Sequence, residues 1–109
     1  MAKYLIQASY SHEGIKGLGK DGGTGRRTAV EAALKALGGR LDLLYFSFGD
    51  HDVCGIGDLP DNVSAASFAL AVGASGAFSG FKTTVLLTPE EVDQAAKKAA
   101  SLGYRPPGH

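Results

Sequence analysis

A chain of 109 residues carrying eleven basic and eleven acidic side chains has no formal net charge with histidine neutral, and length enough for one buried core rather than two. No run of like charge stands out, which argues against nucleic acid or a membrane surface as a partner. The lone Cys54 excludes an intrachain disulfide framework and fits a reducing compartment.

No basic-then-apolar leader opens the chain, because Lys3-Tyr4-Leu5-Ile6 runs straight into polar Gln7 and Ser9. The longest stretch of small apolar residues, 65–78, contains Ser67 and Ser75 and is too short to span a bilayer. The expectation is a soluble cytoplasmic protein folded as a single domain over residues 1–109.

Residues 3–11 alternate Tyr4, Ile6, Ala8 and Tyr10 against Leu5, Gln7, Ser9 and Ser11, which predicts a strand with one richer apolar face. A glycine-rich stretch, 14–25, reads as a loop opening with at most one helical turn around Ile15. Val30, Ala33, Leu34 and Leu37 then fall at i, i+3, i+4 and i+7 opposite Arg27, Glu31 and Lys35. That spacing predicts an amphipathic helix over 26–37, stopped by Gly38-Gly39.

Residues 41–48 and 53–57 are apolar runs flanking the polar hinge Gly49-Asp50-His51-Asp52 and predict a hairpin. Gly49 is expected at positive φ, with the Asp50 and Asp52 side chains closing the turn onto backbone. On the first hairpin strand, strict alternation sets Leu41, Leu43 and Tyr45 on one face and Leu44, Phe46 and Phe48 on the other. Pro60-Asp61 begins a second helix, with Asp61 as N-cap, ending about Gly73 or Gly76. Residues 81–87 predict a fourth strand. Thr88-Pro89-Glu90-Glu91 is a capping box with proline at its first turn, starting a third helix that ends near Gly103. From about residue 104 a Pro/Gly tail follows, with His109 expected to fray.

The order β-α-β-β-α-β plus a C-terminal helix predicts an α+β, ferredoxin-like split βαβ fold with antiparallel sheet order 4-1-3-2 and the first two helices on one face. The opposite face is apolar enough to need cover, from the third helix or from a second chain. The expected partner is therefore the chain itself, as a homodimer or higher oligomer. The second helix, apolar nearly all round, points to contacts on two sides.

With Gly49-Asp50-His51-Asp52 at the hinge, the chain resembles the GYD family, small proteins named for a Gly-Tyr-Asp signature at this hairpin. Tyr4-Leu5-Ile6, His12-Glu13-Gly14-Ile15, Arg27, Ala36-Leu37-Gly38-Gly39, Pro60-Asp61 and Thr83-Thr84 agree with it, over about residues 3–95. His51 stands where the signature has tyrosine, so no role that needs the phenol carries over. The resemblance implies a ferredoxin-like subunit of the dimeric α/β-barrel kind and no particular reaction.

Topology brings the chemistry to one rim. His12 follows the first strand, His51 lies in the turn after the second, and in a split βαβ sheet those two ends coincide. Lys16, Lys20, Arg26, Asp50 and Asp52 belong to the same end. The candidate ligand-binding residues are Tyr10, His12, Arg26, His51 and Asp52, and the candidate acid or base is His51 or His12. Imidazole and carboxylate there could hold a proton donor, an anion or a metal; against these stands simple turn-capping at an exposed rim. No metal site or cofactor is expected.

Gly17-Leu18-Gly19-Lys20-Asp21-Gly22 matches the GxGxxG string but lacks the strand–turn–helix setting of a dinucleotide site, so it reads as a lid or loop, with weak anion capture as the sharper alternative. Cys54 is expected to be a buried structural thiol. Two functions remain: a binding or assembly module with possible small-molecule binding, and a cofactor-independent, monooxygenase-like enzyme using a histidine at the rim, the latter by fold-level analogy alone.

Overall fold

The computed structural model describes residues 1–108; His109, expected to fray, lies outside them. The elements are β1 (Ala2–Tyr10), α1 (His12–Ala36), β2 (Arg40–Phe46), β3 (Val53–Leu59), α2 (Asn62–Ala74), β4 (Phe78–Leu86) and α3 (Pro89–Ala100). The four strands form one antiparallel sheet in the order β2-β3-β1-β4. This is the ferredoxin-like split βαβ arrangement, with the spatial order the sequence predicts.

The inner face of the sheet is set by β1, whose Tyr4 and Ala8 are each 1% exposed. Tyr4, Leu34, Leu59, Ala65 and Phe68 form the buried cluster, with Val30, Ala33, Leu37, Leu41 and Phe81 packed against it. The stripe predicted on the first helix is thus the stripe that packs. Gly57 lets α1 settle here, since a Cβ on it would meet Leu34 Cδ1 at 2.9 Å.

Alternation on β2 is not strict. The β2–β3 register slips between Leu41 and Leu43, so Leu41, Leu44 and Phe46 pair with Gly57, Gly55 and Val53. Those β3 positions lie beside Tyr4, Ile6 and Ala8 of the inner face. Leu43 and Tyr45 instead pair with Ile56 and Cys54, beside Leu5 and Gln7. The extra residue, Asp42, moves Leu41 off the face shared by Leu43 and Tyr45, which a period-two reading cannot anticipate.

The glycine-rich stretch is helical. α1 begins at His12 behind an Ser11 N-cap whose side chain accepts from the Gly14 amide at 3.1 Å. It comprises two helical segments meeting at Gly22, whose φ of 76° and ψ of 165° break the helix. Glycine is a weak helix former, so tertiary contact must hold the first segment. Gly14 supplies it, packed so close to Ala77 that an added Cβ would sit 1.8 Å from that carbonyl oxygen.

The Asp61 N-cap and the reciprocal Thr88–Glu91 capping box are both present. α3 buries none of its residues, so it does not cover the sheet. α2 buries Ala65 and Phe68 and leaves Val63 and Leu70 exposed on its far side.

Candidate functional site

Small residues create the central feature of the molecule. Between the inner face of the sheet and the α1–α2 layer lies a cavity of about 380 Å³. Ala8 and Gly55 floor it from the sheet, Gly17, Ala29 and Ala33 edge it from α1, and Ala71 edges it from α2. None of them reaches across the gap. Ile6, Val30, Leu44, Val53, Phe68 and Val72 supply most of the remaining wall. The cavity opens to solvent past Glu13, Asp21 and Ala71, all exposed, and its volume falls within the range of about 300–1,000 Å³ that small-molecule sites occupy.

One end of the cavity carries an aromatic ladder. The Tyr10 and Phe78 rings stack at 4.8 Å between centroids, Phe78 meets Phe81 edge-on at 6.3 Å, and Phe81 tilts against Phe68 at 6.1 Å. Tyr10 and Phe78 face each other because β1 and β4 stay paired past an irregularity at Ser9.

The polar groups are few and gather at this end. Arg26, Tyr10, Glu13 and Asp21 line the cavity. Arg26 Nη1 lies 3.6 Å from an Asp21 carboxylate oxygen. Burial raises the Tyr10 hydroxyl above its ordinary pKa; the neighbouring Arg26 guanidinium opposes that shift and Asp52 adds to it. Tyr10 is therefore a neutral phenol at physiological pH.

The hinge 47–52 is tied onto the same end of the sheet, though not as the sequence predicts. Gly49 has an ordinary negative φ, because the turn is closed by Ser47: its amide donates to the Asp52 carbonyl at 2.8 Å and its hydroxyl to the His51 carbonyl at 2.6 Å. Asp52 does not close its own turn. Its carboxylate accepts from the Tyr10 amide at 2.8 Å, and its amide donates to the Ala8 carbonyl at 2.9 Å. The Asp50 carbonyl accepts from the Ser9 hydroxyl at 3.1 Å.

Of the five residues expected around a concavity, Tyr10 and Arg26 line it. Asp52 stands directly behind Tyr10. His51 is half-buried in the hinge and His12 is exposed on the first turn of α1, and neither lines the cavity. Both belong to the end of the sheet at which β1 finishes, as the topology requires. Lys16 and Lys20 are exposed on α1. Among the described residues no three His, Cys, Asp or Glu side chains come together in a way that could hold a metal ion, and no helix is long and apolar enough to cross a membrane.

The cavity walls were not legible in advance. Their signal is the placement of Ala8, Gly55 and Ala33 on inward-facing positions, which becomes visible only once the faces are assigned.

A family model for the GYD domain matches residues 4–96, most of the chain. The chain belongs to the GYD domain family. The match takes in β1 from Tyr4 onward, the other three strands and both packed helices, together with the whole cavity wall and the hinge. Curated proteins and solved structures yielded no match.

Proposed function

We propose that this GYD domain is a small-molecule-binding subunit of a homo-oligomer, in which the helical layer and sheet hold the ligand and the bare sheet face meets a second copy. The cavity carries the reading: about 380 Å³ of largely apolar space between the sheet and its two packed helices. Two copies joined through the outer sheet faces would form a subunit pair of the dimeric α/β-barrel kind. α3 does not compete for that face, since it buries nothing.

The binding reading is favoured over an enzyme with a rim histidine because neither His12 nor His51 is part of the cavity wall. A lone thiol at Cys54, without an intrachain partner, suits the cytoplasm as the compartment.

Benzene titrated into isotopically labelled protein tests the reading. The methyl resonances of Ile6, Val30, Val53 and Val72 are expected to shift together and saturably, with Ile56 on the outer face unmoved. No saturable shift at any of the four would overturn it.

A further inference from the structure

The polar end of the cavity is specific about charge. Among the described residues Arg26 is its only cation, while Glu13 and Asp21 both line it and the Asp52 carboxylate lies behind Tyr10, bonded to the Tyr10 amide. Lys16 and Lys20 stand on the same helix but are exposed and do not line the cavity. An anionic head group entering here would gain one guanidinium and face two carboxylates, with a third behind Tyr10. A cation would have to displace or abut Arg26.

Arg26 is neutralised without being used up. Asp21 stands 3.6 Å from Nη1, longer than a good charge-assisted bond, and a guanidinium carries five N–H donors in a planar fork. Tyr10 adds a phenolic O–H at the same place. The polar end is therefore rich in donors with little net attraction for an anion, and the wall beside it is the Tyr10–Phe78–Phe81 ladder. Aromatic rings favour offset-stacked or edge-on partners, so a planar body fits that wall better than a branched aliphatic one.

Building on the small-molecule reading above, we propose that the cavity takes a neutral, ring-bearing molecule whose apolar body lies along the aromatic ladder and whose oxygen acceptor, a ketone or quinone carbonyl, meets Arg26 and Tyr10. The acceptor replaces water on donors that would otherwise be partly desolvated when the cavity fills. A carboxylate of the same shape is disfavoured by Glu13, Asp21 and Asp52.

Three probes of one shape separate the possibilities: naphthalene, 2-acetylnaphthalene and 2-naphthoate, each titrated into the full chain and followed by amide and methyl shifts. The ketone is expected to bind at least about tenfold tighter than naphthalene, the gain that one hydrogen bond from a charged donor gives, and tighter than the carboxylate by at least as much. Arg26→Met and Tyr10→Phe should each reduce the ratio of ketone to naphthalene affinity, and naphthalene should still shift the Ile6, Val30, Val53 and Val72 methyls, which reports that the cavity is intact. A preference for 2-naphthoate would overturn the proposal in favour of an anion site. Equal affinity for ketone and naphthalene would overturn it while sparing the cavity reading. Failure of all three probes to shift cavity resonances would overturn both.

Discussion

Gly14 shows how one missing side chain fixes the path of the chain. It lies where α1 leaves the β1 strand, and a methyl group there would overlap the Ala77 carbonyl at 1.8 Å and the Tyr10 ring at 2.9 Å. Backbone cannot yield as a flexible side chain does, so Gly14→Ala is expected to destabilise the fold by about 1–3 kcal/mol, the usual range for overpacking, measured by urea denaturation. Gly49 is the opposite case. The sequence points to it as the strained hinge residue, yet its φ is ordinary and a Cβ would meet nothing within 4 Å. Gly49→Ala should fall within about 0.5 kcal/mol of the native protein, as exposed substitutions do.

Asp58 supplies the pH dependence at this scale. Burial pushes its carboxyl up, but the bonds from Lys3 and Arg40, each 3.1 Å from Oδ2, outweigh it and leave the carboxyl below its usual range. A group whose folded pKa is depressed contributes stability above its unfolded pKa, about 3.9, and loses that contribution as pH falls through the lower folded value. The stability gap between native protein and Asp58→Asn should thus be full near neutrality and close progressively below about pH 4. A gap that stays constant down to pH 2 would show that the ion cluster contributes nothing through ionisation.

Among elements, legibility followed the strength of the local signal. The Val30–Leu34–Leu37 stripe, the Asp61 cap and the Thr88–Glu91 box each state a helix in a few residues, and all three appear as read. The first half of α1 does not state itself: residues 12–25 include six glycines, and their helix exists because Gly14 docks on Ala77 and Leu18 reaches the cavity. The slip at Asp42 is similar, a matter of pairing that no alternation pattern contains. At the site, Tyr10 and Arg26 were legible because topology delivers them to the rim. The apolar wall was not, because it is made of what small residues leave empty. α3 combines a strong start with no burial, so its stability is local. Its amides are expected to exchange ahead of those of α2 and of the second half of α1. Thr88→Ala should speed them by roughly fivefold, about 1 kcal/mol of capping, without moving the midpoint of global unfolding.

At the scale of the whole molecule, the unsolved problem is the outer face of the sheet. Leu5, Ile56, Leu43 and Tyr45 lie on it across three adjacent strands, with Leu43 39% and Tyr45 66% exposed. Lys3, Arg40, Asp42 and Asp58 form an ion cluster at one end of the same sheet, which bounds the apolar area. α1 and α2 pack on the opposite face, and α3 covers neither. Pairing of two such faces would remove on the order of 1,200–2,000 Å² from water, the size of a stable interface. The protein is therefore expected to sediment as a dimer or larger species at micromolar concentration. Tyr45→Glu should weaken association by about thirtyfold, as loss of a central aromatic anchor does, and leave the monomer folded because the ring touches little of its own chain. Cys54 provides a second readout. It sits on this face between Tyr45 and Gln7, so its alkylation should slow as concentration rises in the native protein and stay fast in Tyr45→Glu. Sedimentation of the native chain as an 11.2 kDa species, with alkylation independent of concentration, would leave the face bare in solution and remove the oligomer from the proposed function.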